Sequence, residues 1–274
     1  AGWNFSAALV ATASPATLTF SPVDYASPHT VTISGVPDAD AVTGTATLTL
    51  ALAGATSGAV AVTVTDDDVL AIEASVPSLS IGEAGTGSIG FRLTAAPTAS
   101  TTVTVTSSDA GAATASASLV FTTANWSTFQ SVNVTGVNDA DASNESLNVT
   151  ATSGALSKVV PVTVNDDEVL GITTSTSTIA LGEAGTGTFT VQLTAAPAVA
   201  TTVNLSSLDV GAATVSPASY VFDGTNWNTA RTVTVTGVAD ADLANESVQI
   251  KAAGAGLTDR LVTATVTDND TQIV

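Results

Sequence analysis

The sequence predicts an all-β fold: tandem β-sandwiches of about 100 residues, arranged as a rod. Three observations predict it. The chain repeats itself at an interval near 100 residues. Its apolar residues alternate with Thr, Ser and Asn, the period-two signature of strands half buried in a sheet. No segment couples a helix cap to a 3.6-residue apolar period.

The repeat sets the organisation. IGEAGTG at Ile81–Gly87 returns as LGEAGTG at Leu181–Gly187, and LTAAP at Leu93–Pro97 returns at Leu193–Pro197. Asn125–Trp126 returns as Asn226–Trp227. VTDDDVLAI (Val64–Ile72) returns as VNDDEVLGI (Val164–Ile172), and VTDND (Val266–Asp270) closes the series. Self-similarity at a fixed period marks an array of like units. The expected units are a partial sandwich over 1–68 that lacks its first strands, full sandwiches over 69–168 and 169–270, and residues 271–274 as the start of a further repeat or a tail. The partial unit follows from matching Val10–Phe20 to Ala212–Phe222, and Gly35–Asp40 to Gly136–Asp141. Two expectations follow: a fragment of a longer array, or a filament subunit whose first unit is completed by a neighbour's donated strand.

The strands follow in order. Ser88–Leu93 sets Ile89, Phe91 and Leu93 on one face against Ser88, Gly90 and Arg92. Val159–Val164 sets Val160, Val162 and Val164 together, and Thr232–Val238 does the same for Val233 and Val235. β-Branched residues suit this pleated, half-buried surface. About seven strands per unit are expected, joined by Gly-, Pro-, Asn- and Asp-containing turns. Some 100 residues with seven short strands and no helix point to an immunoglobulin-like sandwich. Asp67–Asp68 runs directly into Val69–Leu70 without a Gly/Ser spacer, so the joins are short.

Composition narrows the function. The 274 residues are 45% hydrophobic but only 4% aromatic, so the core is built of Val, Leu, Ile and Ala. Charged residues make up 11%, against about 25% in ordinary soluble domains. With abundant Thr, Ser, Ala and Gly, this reads as an extracellular bacterial protein. The absence of Cys excludes disulfides, thiolate metal sites and a Cys nucleophile. No apolar run approaches the roughly 18 residues of a membrane span. Only five basic residues face 24 acidic ones, for a net charge of −19. Such a chain does not hold nucleic acid or an anionic membrane by charge; its small partners are cations.

The acids are grouped. All but Asp24, Glu73, Asp223 and Asp259 lie in repeated motifs. The second unit carries Glu83, Asp109, Asp139, Asp141, Glu145, Asp166, Asp167 and Glu168. The third carries Glu183, Asp209, Asp240, Asp242, Glu246, Asp268 and Asp270. The first keeps Asp38, Asp40, Asp66, Asp67 and Asp68, with Gly44 where its siblings have Glu145 and Glu246. These positions follow the first, third, fifth and seventh strands, which end at one pole of an up-and-down sandwich. Carboxylates gathered there repel by roughly 3–4 kcal/mol per pair at about 4–6 Å and an effective dielectric near 20. Neither Arg92, Lys158, Arg231, Lys251 nor Arg260 is placed to offset this. A hard divalent cation with six to eight oxygen ligands does so, and Ca²⁺ tolerates irregular loops. All these acids are therefore candidate Ca²⁺ ligands at the domain junctions.

GEAGTG before an alternating strand, a later GVxDAD…NES and a closing VTDDD resemble the Calx-beta domain, an immunoglobulin-like sandwich found in sodium–calcium exchangers, integrin β4 and large bacterial surface proteins and adhesins. The resemblance covers both full units and the partial one. It implies calcium ligands at the Glu of the first-strand bend, an Asp after the third strand, acids after the fifth and the terminal acidic run. Here these are Glu83, Asp109, Asp139, Asp141, Glu145 and Asp166–Glu168, with their third-unit equivalents. The third unit departs in ending Asp268–Asn269–Asp270.

Catalysis is not expected. His29 stands alone, expected on a surface strand, and no base is set to activate a Ser or Thr. Trp3, Trp126 and Trp227 raise a second reading, a module that stacks on glycans; their repeated position before a strand reads instead as core cover. The expected function is a structural extender of a bacterial cell-surface adhesin, filament or surface layer, with neighbouring repeats or identical subunits as partners and cell-surface glycans as a further one.

Overall fold

The computed structural model describes residues 2–5, as backbone, and 10–271. Trp3's side chain and residues 272–274 lie outside what is described. All regular structure in the described residues is β. The first repeat holds β1 (Gly2–Phe5), β2 (Ala11–Ser14), β3 (Thr32–Gly35), β4 (Gly44–Ala51) and β5 (Gly58–Val64). The second holds β6 (Ile72–Ala74), β7 (Leu79–Gly82), β8 (Thr86–Leu93), β9 (Thr101–Ser107), β10 (Ala113–Thr114), β11 (Ser116–Phe121), β12 (Gln130–Gly136), β13 (Glu145–Ser153) and β14 (Leu156–Asn165). The third holds β15 (Ile172–Thr174), β16 (Thr178–Gly182), β17 (Thr186–Leu193), β18 (Thr201–Ser207), β19 (Ala213–Ser216), β20 (Ser219–Phe222), β21 (Arg231–Gly237), β22 (Glu246–Gly254) and β23 (Arg260–Thr267).

Each repeat forms two sheets. In the third they run β15-β17-β21-β19 and β16-β23-β22-β18-β20; in the second, β10-β12-β8-β6 and β11-β9-β13-β14-β7. In both full repeats nine strands stand where about seven are expected, because two strands change sheets midway. The first strand leaves β17 after Thr174 and resumes as β16, parallel to β23. The fourth likewise splits into β19, on β21, and β20, on β18. Each strand that crosses between sheets forms an edge of both.

The alternation places the core as expected. Phe189, Val191, Val233 and Val235 from one sheet meet Val203, Leu205, Val248, Ile250, Val262 and Val266 from the other, all nearly or fully buried. In the second repeat Ile89, Phe91, Leu93, Val160 and Val164 are equally buried. The fold is thus a series of immunoglobulin-like β-sandwiches. The first repeat differs: its sheets are β2-β3 and β1-β4-β5, without counterparts of β6–β8 among the described residues. Phe20 is therefore 40% exposed, whereas its equivalents Phe121 and Phe222 are fully buried. His29 does not lie on a strand, as expected from sequence, but in the loop before β3, edge-on to Phe20.

The chain divides into two compact units. The first takes in the chain up to Leu79 with Gly87–Val134 and Leu147–Val162; the second takes in Ser80–Thr86, Thr135–Ser146 and everything from Thr163. Glu83, Asp139, Glu145 and Asp166–Glu168 all belong to the second unit.

Candidate metal centre

Backbone geometry delivers Glu83 to its place. After β7 the chain bends through Ala84 at φ 51°, a left-handed conformation costly for a residue with a Cβ. Three hydrogen bonds fix the bend: Glu83 N–H to the Asn165 carbonyl (3.0 Å), Gly85 N–H to the Gly82 carbonyl (3.0 Å), and Gly136 N–H to the Gly85 carbonyl (2.9 Å). A Cβ at Gly136 would sit 2.6 Å from the Gly82 carbonyl oxygen, so only Gly lets β12 approach so closely. The third repeat repeats this with Ala184 at φ 52° and Gly237, where a Cβ would stand 2.7 Å from the Gly182 carbonyl.

The acidic loops are tied down one oxygen at a time. Asp139 Oδ1 accepts from Asp141 N–H (2.8 Å), Asp141 Oδ1 from Ser143 N–H (2.8 Å), and Asp166 Oδ1 from Glu168 N–H (2.7 Å). Such Asx turns stiffen a loop while leaving the second carboxylate oxygen available. Asn144 Oδ1 accepts from Asp166 N–H (2.9 Å) and so holds the terminal acidic run against the loop. Asn245 does the same for Asp268 N–H at 2.8 Å.

Four carboxylates converge in the second repeat. Glu83, Asp139, Glu145 and Asp166 each offer an oxygen within 4.8 Å of the others, and Glu83, Asp167 and Glu168 form a second such group. In the third repeat Glu183, Asp240 and Glu246 converge; in the first, Asp38, Asp40 and Asp66. Glu83 is 9% exposed, and neither of its oxygens has a hydrogen-bond partner. Glu145 Oε2, Asp166 Oδ2, Glu168 Oε2, Glu246 Oε2 and Asp268 Oδ2 are likewise buried and unpartnered.

The electrostatics match. Burial, then the negative charges of Asp139, Glu168 and Asp166, push the Glu83 carboxyl up from 4.5 to about 7. The Asp139 backbone N–H opposes this without reaching hydrogen-bond geometry. Glu145 and Glu246 are also raised, first by burial and then by Asp139 and Asp240 respectively; Glu168 is raised by burial and then Asp167. A protonated or empty cluster leaves buried oxygens without partners, a state that costs about 1–3 kcal/mol per group. An all-oxygen donor set of this charge fits a hard divalent cation.

The other expected ligands are not among these groups. Asp109 Oδ1 accepts from Gly111 N–H (2.9 Å) and Asp209 Oδ1 from Gly211 N–H (2.9 Å), so each caps its own turn. Asp141 and Asp242 likewise cap theirs through Ser143 and Ala244. Asp67, Asp68, Asp268 and Asp270 also stand outside the groups; Asp268 Oδ1 accepts from Asp270 N–H (2.6 Å). In the first repeat Gly44 replaces the acid, and a Cβ there would meet the Val10 side chain at 2.8 Å.

Sequence reasoning passed over two contributors. Asn144 and Asn245 sit in the repeated NES motif, whose spacing before the terminal acids is the available signal. LTAAP also has a role: Ala196 N–H donates to the Ala140 carbonyl (2.7 Å), forming a bridge between Asp141 and Ala196. Asp40 and Ala96 form the same bridge one repeat earlier. The acidic loop of one repeat thus holds the LTAAP turn of the next. Trp227 packs half-buried against the third core, and Trp126 is half-buried at the equivalent place.

No family model matches the chain, and no curated protein matches it. Solved structures do. One is the crystal structure of the S-layer protein SbsC domains 4 and 5, at 22% identity over 60% of this chain and 76% of that one, with a TM-score of 0.33. Domains 1–6 of the same surface layer protein match at 19% identity over 83% of this chain and 32% of that one, with a TM-score of 0.35. Protocadherin Gamma B2 extracellular cadherin domains 1–5 match at 13% identity over 88% and 49%, with a TM-score of 0.37. This chain therefore spans less than half of the longer fragments. At TM-scores this low the fold assignment rests on the sheets themselves.

Proposed function

We propose that this chain is a structural extender of a bacterial cell-surface or secreted protein, a tandem array of Calx-beta-like sandwiches over 1–68, 69–168 and 169–270 whose joints are fixed by Ca²⁺. The observation that carries this reading is Glu83, buried with both oxygens unpartnered among Asp139, Glu145 and Asp166. An ion there would satisfy these oxygens and hold the Asp139–Asp141 loop in place. That loop carries the bridge to Ala196, so ion binding would reach the next repeat through one hydrogen-bonded turn. Glu183, Asp240 and Glu246 would serve the third repeat. Asp38, Asp40 and Asp66, exposed or half-buried, would form a weaker site in the first.

Neither catalysis nor glycan stacking gains support: the clusters recur in successive repeats, and Trp227 covers a core. No helix among the described residues is long and apolar enough to cross a membrane. A second reading is favoured by the exposed Phe20, Ile33 and Val60 of the first repeat: a donated strand of the β8 pattern would cover them, as in a filament subunit.

Calorimetric melting tests the main reading. The chain in millimolar calcium melts higher than in excess chelator, because an ion that binds only the folded state stabilises it by mass action. Coincident melting curves would reject it.

A further inference from the structure

We infer that the second-repeat centre holds two divalent cations sharing the Glu83 carboxylate, whereas the third-repeat centre holds one. This rests on the calcium reading above and concerns how many ions each centre takes. Two ligand groups meet at Glu83: Asp139, Glu145 and Asp166 in one, Asp167 and Glu168 in the other. Both Glu83 oxygens are buried and free of hydrogen bonds, so one is available to each ion. A carboxylate shared by two cations about 3.5–4 Å apart is a familiar arrangement. Six carboxylates also carry enough charge for two divalent ions. Backbone carbonyls and water complete the six to eight oxygens each calcium takes.

The third repeat differs at the residues that build the second group. Asn269 stands where Asp167 does, and its Nδ2 donates toward the Glu183 carbonyl (3.4 Å). Asp270 replaces Glu168, one methylene shorter and exposed. Glu183 Oε1 already accepts from Asp240 N–H at 3.4 Å. One group therefore remains, that of Glu183, Asp240 and Glu246.

Native mass spectrometry of the intact chain across a calcium titration counts the ions. Asp167→Asn/Glu168→Gln binds one ion fewer than the parent, and Asn269→Asp/Asp270→Glu binds one more. An unchanged count in the first variant overturns the shared pair, and an unchanged count in the second overturns the single-ion assignment. If the parent chain itself binds no calcium, the calcium reading fails, which is distinct from either result. The altered residues are exposed or half-buried, and the second variant tests by gain, so loss of folding does not imitate the expected result.

Discussion

Glu83 differs from the chain's ordinary acids in what surrounds it. The four acids outside the repeated motifs all find local partners: Glu73 pairs with Arg92 (2.8 Å), Asp259 with Lys251, Asp24 with Ser21 and Asp223 with Thr225. Ser21's backbone N–H holds Asp24 below its ordinary range, and the Thr225 hydroxyl does so for Asp223. Glu83 has no such partner and is raised to about 7. The sign of the pH effect follows. In metal-stripped protein the unfolded chain loses this proton near 4.5, while the native chain keeps it to about 7. The native state binds more protons in that window, so stability falls as pH rises through it and levels off above. Denaturant titrations at several pH values check this; with calcium present the ion takes the proton's place and the fall disappears. Glu83→Gln removes the buried charge. We expect it to raise the melting point in chelator by about 2–4 °C, a gain of about 1 kcal/mol, and to reduce the rise with calcium.

At the scale of elements, the centre depends on a bend pinned to a strand. Gly136→Ala forces a Cβ against the Gly82 carbonyl. It is expected to destabilise by about 1–3 kcal/mol and to displace Glu83, so that melting falls and the calcium response weakens together. Asn144→Ala leaves every carboxylate in place and removes only the bond to Asp166 N–H. Calcium affinity by isothermal titration should drop about 10–100-fold, the usual effect of losing a group that orients a ligand. The strand faces, the bend acid and the loop acids were legible because period-two alternation and an internal repeat are direct records of burial and position. Asp109 is expected with them but lies outside the group, and its place is set by turn geometry a residue or two away, where its Oδ1 accepts from Gly111 N–H. The splitting of β6 from β7 and of β10 from β11 was also hidden, since a strand that changes sheets keeps its alternation.

For the whole molecule, the internal repeat made the type of fold legible, a β-sandwich that recurs along the chain, but not that the acidic loop and LTAAP meet. That contact joins residues over fifty positions apart, and only the folded chain brings them together. If ions hold these loops, small-angle scattering of the whole chain should report a narrower range of conformations with calcium than with chelator. The most direct measurement is anomalous diffraction from crystals grown in calcium. Anomalous peaks are expected among Glu83, Asp139, Glu145 and Asp166, and among Glu183, Asp240 and Glu246. Carboxylates turned out into solvent, with no peak between them, would contradict it.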